Sequence, residues 1–164
     1  MRYFISPFLV CMLLVFSCAS DRALSLEDYS PRLQQIIKDN TGIVRGIDFT
    51  MNDTQIREKE TASFVKEESD GLLFDLDLNE TEFVDISYAF GADKVLSKIE
   101  MNAYLKDVNT ATSLHEELKS FFNKSYQKQE KSWTGKQQGI SYKVSTQLLE
   151  NPKDPGVVVS WTKE

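Results

Sequence analysis

Between residues 64 and 106 apolar and polar side chains alternate with a period of two, which places successive residues on opposite faces of a β-strand. Leu72, Phe74, Leu76 and Leu78 alternate with Leu73, Asp75 and Asp77. Val84, Ile86, Tyr88 and Phe90 alternate with Phe83, Asp85, Ser87 and Ala89. Both stretches predict half-buried antiparallel strands, one face on a core and one in water. Their apolar rows coincide only if Leu76 opposes Val84 and Phe74 opposes Ile86, because a one-residue slip turns one row to solvent. That register leaves Asn79-Glu80-Thr81 as a three-residue loop and sets Asp75 against Asp85. Phe64 to Glu68 precedes as a strand, ended by the turn Ser69-Asp70-Gly71. After the turn Gly91-Ala92-Asp93, Val95, Ile99, Met101, Ala103 and Leu105 line one side of a long strand, with Lys98, Glu100 and Asn102 opposite.

Helical spacing marks three other stretches. Ser30-Pro31 reads as an N-cap followed by proline at the first helical position, with Leu33, Ile36 and Ile37 on one face and Gly42 just past the end. Asn52 and Gln55 form a capping box, stapled by Met51 and Ile56, for a helix over about Asp53 to Glu60. Asn109 or Thr110 caps a third helix carrying Leu114, Leu118, Phe121 and Phe122. Strands follow at Tyr126 to Trp133, Ile140 to Leu149 and Val157 to Thr162, separated by Gly135 to Gly139 and Asn151 to Gly156. Segregated helices and strands predict an α+β fold with helices packed on one face of an antiparallel sheet. The order suggests two helix-then-meander units, about 43–106 and 107–164, inside a single domain spanning 30–164.

The N-terminus follows different rules. Arg2 is the only charge before Asp21, and Phe8 to Phe16 is an unbroken apolar run, the layout of a secretory signal peptide. The run is shorter than the roughly 20 residues a bilayer span needs. Val15-Phe16-Ser17-Cys18 resembles the lipobox of bacterial lipoproteins, although Phe16 departs from the Ala, Ser or Thr more usual there. The resemblance implies a signal peptide over 1–17, lipid attachment (palmitate among the chains) at Cys18, and a lipidated tether over 18–29. It also implies an exported, lipid-anchored protein of the bacterial envelope. Ala19 is not the Asp that resembles an inner-membrane retention signal, so the outer membrane is the expected site. An ordinary signal cut after Ser20 is the competing reading. Cysteine usage agrees with lipidation: Cys11 leaves with the signal, and the lone remaining thiol of an exported chain is blocked if acylated.

Composition narrows the function. The chain has 164 residues, 41% hydrophobic and 27% charged, and a net charge of −6, which opposes nucleic-acid binding. One His and two Cys leave most metal and nucleophile chemistries short of parts. No phosphate loop or nucleophile elbow occurs, so neither an enzyme nor a cofactor is expected. The element order resembles the tandem helix-plus-meander scaffold of the beta-lactamase inhibitor protein and of small outer-membrane assembly lipoproteins. Gly46-Ile47-Asp48-Phe49-Thr50-Met51, entering a capped helix, is similar to the segment that opens each such unit.

Three groups of residues are candidate sites. Asp75, Asp77 and Asp85 share the solvent face of one hairpin and could meet a cation or a basic partner. Without an Asp-x-Asp-x-Asp-Gly loop, a solvated acidic face is the expectation. His115, the only imidazole, is expected to be a partly exposed helical residue. Trp133 and Trp161 end strands at one edge with Tyr142 between them, a candidate aromatic binding patch or part of the core. The expected function is a non-catalytic envelope lipoprotein that binds another envelope protein through its sheet. The alternative is a small-molecule or glycan-binding module that uses the aromatic edge.

Overall fold

The computed structural model describes residues 25–39 and 41–164. The expected signal segment 1–17, Cys18 and most of the expected tether lie outside the described residues. A single 3-10 turn at Leu26–Asp28 leads into α1 (Pro31–Ile37) and, after a loop, α2 (Asp53–Lys59). Four strands follow: β1 (Ser63–Glu68), β2 (Gly71–Asp77), β3 (Phe83–Phe90) and β4 (Leu96–Tyr104). Then come α3 (Val108–Ser125), β5 (Gln127–Lys128), β6 (Trp133–Gln137), β7 (Ile140–Leu149) and β8 (Gly156–Lys163). The strands form one antiparallel sheet in the order β1-β2-β3-β4-β8-β7-β6-β5. The class is therefore α+β. Each run of strands starts at an outer edge and ends in the middle, where β4 pairs β8.

Local chemistry explains the helix ends. Ser30 Oγ accepts from the Leu33 N–H, and Pro31 fills the first position. Asn52 and Gln55 exchange both hydrogen bonds of the capping box. The third helix starts earlier than its sequence suggests. Asp107, not Asn109 or Thr110, is the cap, its Oδ1 accepting from the Thr110 N–H at 2.7 Å. Three cap-forming residues within four positions cannot be ranked by type, and the extended Asp107 is the cap.

The hairpin register follows the apolar rows: Phe74 pairs Ile86, Leu76 pairs Val84, and Asp75 pairs Asp85. Leu78 N–H donates to Glu82 O, which leaves Asn79-Glu80-Thr81 as the loop. Two strand expectations need correction. Leu96, not Val95, is the buried start of β4, because the ladder shifts register beside Phe90. The stretch Tyr126 to Trp133 pairs only at Gln127–Lys128 before a turn closed by Gln129 N–H to Ser132 O. Gly135 then lies inside β6 rather than in a loop, since a side chain there would overlap the Tyr142 ring that lies across it.

One sheet face is covered. Phe74, Val84, Ile86, Tyr88, Ile99, Met101, Val144, Val159 and Trp161 are buried there against Leu33, Ile36 and Ile56 of α1 and α2 and Leu114, Leu118 and Phe122 of α3. Arg45 is buried inside this layer with φ +56. It donates through Nε and Nη2 to both oxygens of Glu60 (2.9 and 2.8 Å) and through Nη1 to the carbonyls of Gln35 and Ile36. Glu60 also accepts from the Tyr88 hydroxyl at 2.5 Å and from the Thr61 and Ala62 N–H groups. Burial disfavours the carboxylate, but the Arg45 bonds and charge, with the Tyr88 and Ala62 donors, outweigh it and hold Glu60 at about 2.

The network makes an acid prediction. The unfolded carboxyl titrates near 4.5 and the folded one at about 2, so the pair's contribution is complete above the first value and gone below the second. Urea melts should show stability falling over that window. Arg45→Met, which strands Glu60, should cost about 3–5 kcal/mol at pH 7.

Candidate functional site

The same alternation that buries one face leaves the other without a helix among the described residues. Cross-strand neighbours arrange it in rows. One row runs Asp77, Phe83, Tyr104, Gly156 and Leu149. The next runs Asp75, Asp85, Asn102, Val158 and Gln147. A third, from Leu73 through Ser87, Glu100 and Ser160 to Ser145, is tied by the Lys98–Glu100 ion pair (2.6 Å) and the Ser145–Ser160 hydroxyl contact (2.9 Å).

Two features of this face are unusual for a solvated surface. Phe83 is 39% exposed, and its ring stacks on Tyr104 with centroids 4.8 Å apart and planes 23° from parallel. Beside the Tyr104 ring a shallow groove of about 460 Å³ is bordered by Gln147, Leu149 and Asp154. Immediately next to the stack, two carboxyls oppose each other. Burial, then the hydrogen bond and charge of Asp75, push the Asp85 carboxyl above its usual range. Burial, then the charges of Asp85 and Asp154, raise the Tyr104 hydroxyl as well. An apolar ring pair beside an unrelieved acidic pair is a surface to which a basic, partly apolar partner is complementary.

The other candidates are placed differently. Asp77 opposes Phe83, not a third carboxylate, and among the described residues no group of three acidic, His or Cys side chains converges as a metal site. His115 lies on α3 with its side chain 17% exposed and Nδ1 4.0 Å from Glu116. Burial, then Lys119, lowers its pKa.

Trp133, Tyr142 and Trp161 do come together, but in the core. Their exposures are 6%, 4% and 0%. Phe122 of α3 sits at their centre, 5.3 Å from Trp133 and 5.9 Å from Trp161, while Tyr142 meets Phe49 and Tyr126. Their indole N–H groups are both partnered: Trp133 Nε1 donates to Asn123 Oδ1 and Trp161 Nε1 to the Tyr126 oxygen. The expected aromatic edge is thus an interior cluster under α3, because all three residues share the covered parity of their strands. The Phe83–Tyr104 stack, by contrast, was not singled out from sequence. The register already placed Phe83 on the water side, and a large ring in that row was the available signal.

No family model matches the chain, and no curated protein or solved structure matches it either. Among the described residues no helix is long and apolar enough to cross a membrane.

Two measurements follow from this placement. Trp133→Ala should lower stability by about 3–5 kcal/mol in denaturant unfolding, the cost of emptying a buried indole site. Asp85→Asn should raise stability at pH 7 by about 0.2–1 kcal/mol by removing a like charge opposite Asp75. Because the folded carboxyl of Asp85 titrates above its unfolded value, that gain should vanish once the pH is low enough to protonate it.

Proposed function

We propose that this protein is a non-catalytic lipoprotein of a bacterial envelope, anchored at the outer membrane through Cys18, that binds another envelope protein through the open face of its sheet. The observation that carries the binding reading is the Phe83–Tyr104 stack beside the Asp75–Asp85 pair on a face no helix covers. An exposed ring pair supplies apolar area, and a lysine or arginine from the partner would neutralise the opposed carboxyls. The partner complex is either an assembly or an inhibited enzyme. The anchoring part rests on the lipobox-like Val15-Phe16-Ser17-Cys18 and the lone mature cysteine. One acyl chain gives marginal attachment and two or more a stable one, so a fully acylated Cys18 would hold the domain at a membrane. We also read α2 through β4 (about 43–106) and α3 through β8 (about 107–164) as two helix-then-meander units of the kind in the beta-lactamase inhibitor protein; the strand order supports this.

Photo-crosslinking in intact cells tests the surface. A photoreactive residue at position 83 or 104 should give an adduct of one defined mass, and one at exposed Ser120 on α3 should not. Asp85→Lys should abolish the adduct. Equal adducts from all three positions, or none from the sheet, would reject the reading. For the anchor, wild type should incorporate labelled fatty acid, while Cys18→Ser should lose the label and accumulate as uncut precursor. Equal labelling, or a mature N-terminus at Asp21, would show an ordinary signal peptide instead.

A further inference from the structure

A second concavity, on the helix side of the molecule, has the opposite electrical character from the rest of the chain. It lies between α3 and the turn joining β5 to β6, with a volume of about 230 Å³. His115, Lys119 and Asn123, spaced i, i+4, i+8, line one helical face as its first wall. Lys128 and Lys131 border it from the turn, which is held in place by the Gln129 N–H to Ser132 O bond and the Lys128–Trp133 pairing. Thr146 of β7 completes the lining.

Three lysines border this groove against one carboxylate, Glu130, in a chain whose net charge is −6. Lys128 and Lys131 make no ion pair among the described residues, while Lys119 is held by Glu116 at 2.9 Å. A neutral group adds hydrogen-bonding capacity. Asn123 accepts the Trp133 indole N–H on Oδ1, which leaves its NH₂ as a donor.

We infer that this groove is a binding site for a phosphate-bearing ligand. The donor set selects among anions. Planar carboxylates are best matched by the fork of an arginine, and no arginine borders the groove. Lysines act as point charges arriving from separate elements, and with the Asn123 amide they approach a tetrahedral anion from more than one side. The volume suits a phosphate group with a small substituent. An ordered anion there would offset the mutual repulsion of the lysines. This site is on the covered side of the sheet and is independent of the open-face reading.

His115 is the only histidine in the chain, so its imidazole proton signals report on the groove without ambiguity. The full chain in non-ionic detergent micelles is titrated at constant pH with inorganic phosphate, with dihexanoyl phosphatidylglycerol, and with sodium chloride at matched ionic strength. Phosphate or the phospholipid should shift the His115 signals saturably, and sodium chloride should not. Saturation by both ligands identifies a free phosphate site, and by the phospholipid alone a headgroup site. The exposed double variant Lys128→Glu/Lys131→Glu should bind at least tenfold more weakly. A shift no larger than that with sodium chloride, or one undiminished in the double variant, would overturn the assignment.

Discussion

One buried guanidinium ties the first half of the molecule together. Arg45 closes the end of α1 through two carbonyls, the end of α2 through Glu60, and strand β3 through the Tyr88 hydroxyl that shares the same carboxylate. A charge taken this far from water is tolerated only when every donor finds an acceptor and its counter-ion is equally well bonded. That requirement fixes geometry more tightly than apolar contacts do. The loop carrying Arg45 takes a left-handed backbone there, and α1 and α2, each only seven residues long, gain the fixed relation to the sheet that their own length could not supply.

A second carboxylate plays a similar part at the other end of α1. Glu82, at the base of the β2–β3 loop, accepts from Arg32, from the Asn79 amide and from the Lys106 N–H. Burial opposes its charge, yet these donors lower its pKa. The hairpin loop is thereby joined to α1 on one side and to the approach to α3 on the other. Across the second half, packing replaces ion pairing: Phe122 gathers Trp133, Trp161 and Tyr126, and edge-on or tilted ring contacts fill the space between α3 and strands β6 to β8.

Charge is distributed with the same asymmetry. The open sheet face has its carboxylates at the β2–β3 side, next to an exposed ring stack, and the helix side has a lysine-bordered groove beneath α3. The two surfaces are on opposite sides of the sheet. Each presents like charges whose repulsion a bound partner of opposite charge would relieve, so a net charge of −6 describes neither of them.

The sequence by itself determined what depends on near neighbours. Period-two alternation set the β2–β3 register to the residue, because only one pairing puts Phe74, Leu76, Val84 and Ile86 on one face. The capping box at Asn52 and the proline after Ser30 located two helix starts for equally local reasons. Arg45 inside the apolar run Ile43 to Ile47 was a visible signal of a buried charge, but its partner Glu60 is fifteen residues away and carries no local mark. Alternation assigned Tyr142 to the apolar row of its own strand, yet could not say that Trp133 and Trp161 of the flanking strands would lie on the same covered face. Only the tertiary structure decided that. An apolar row in one strand joins those of its neighbours only once the strands pair and a helix lies across them, and where α3 lies is set by distant contacts summed over the whole sheet. The same docking makes Thr146 a buried orphan and brings Lys119 near Lys128 and Lys131, residues whose types reveal nothing until the helix and the turn are set side by side.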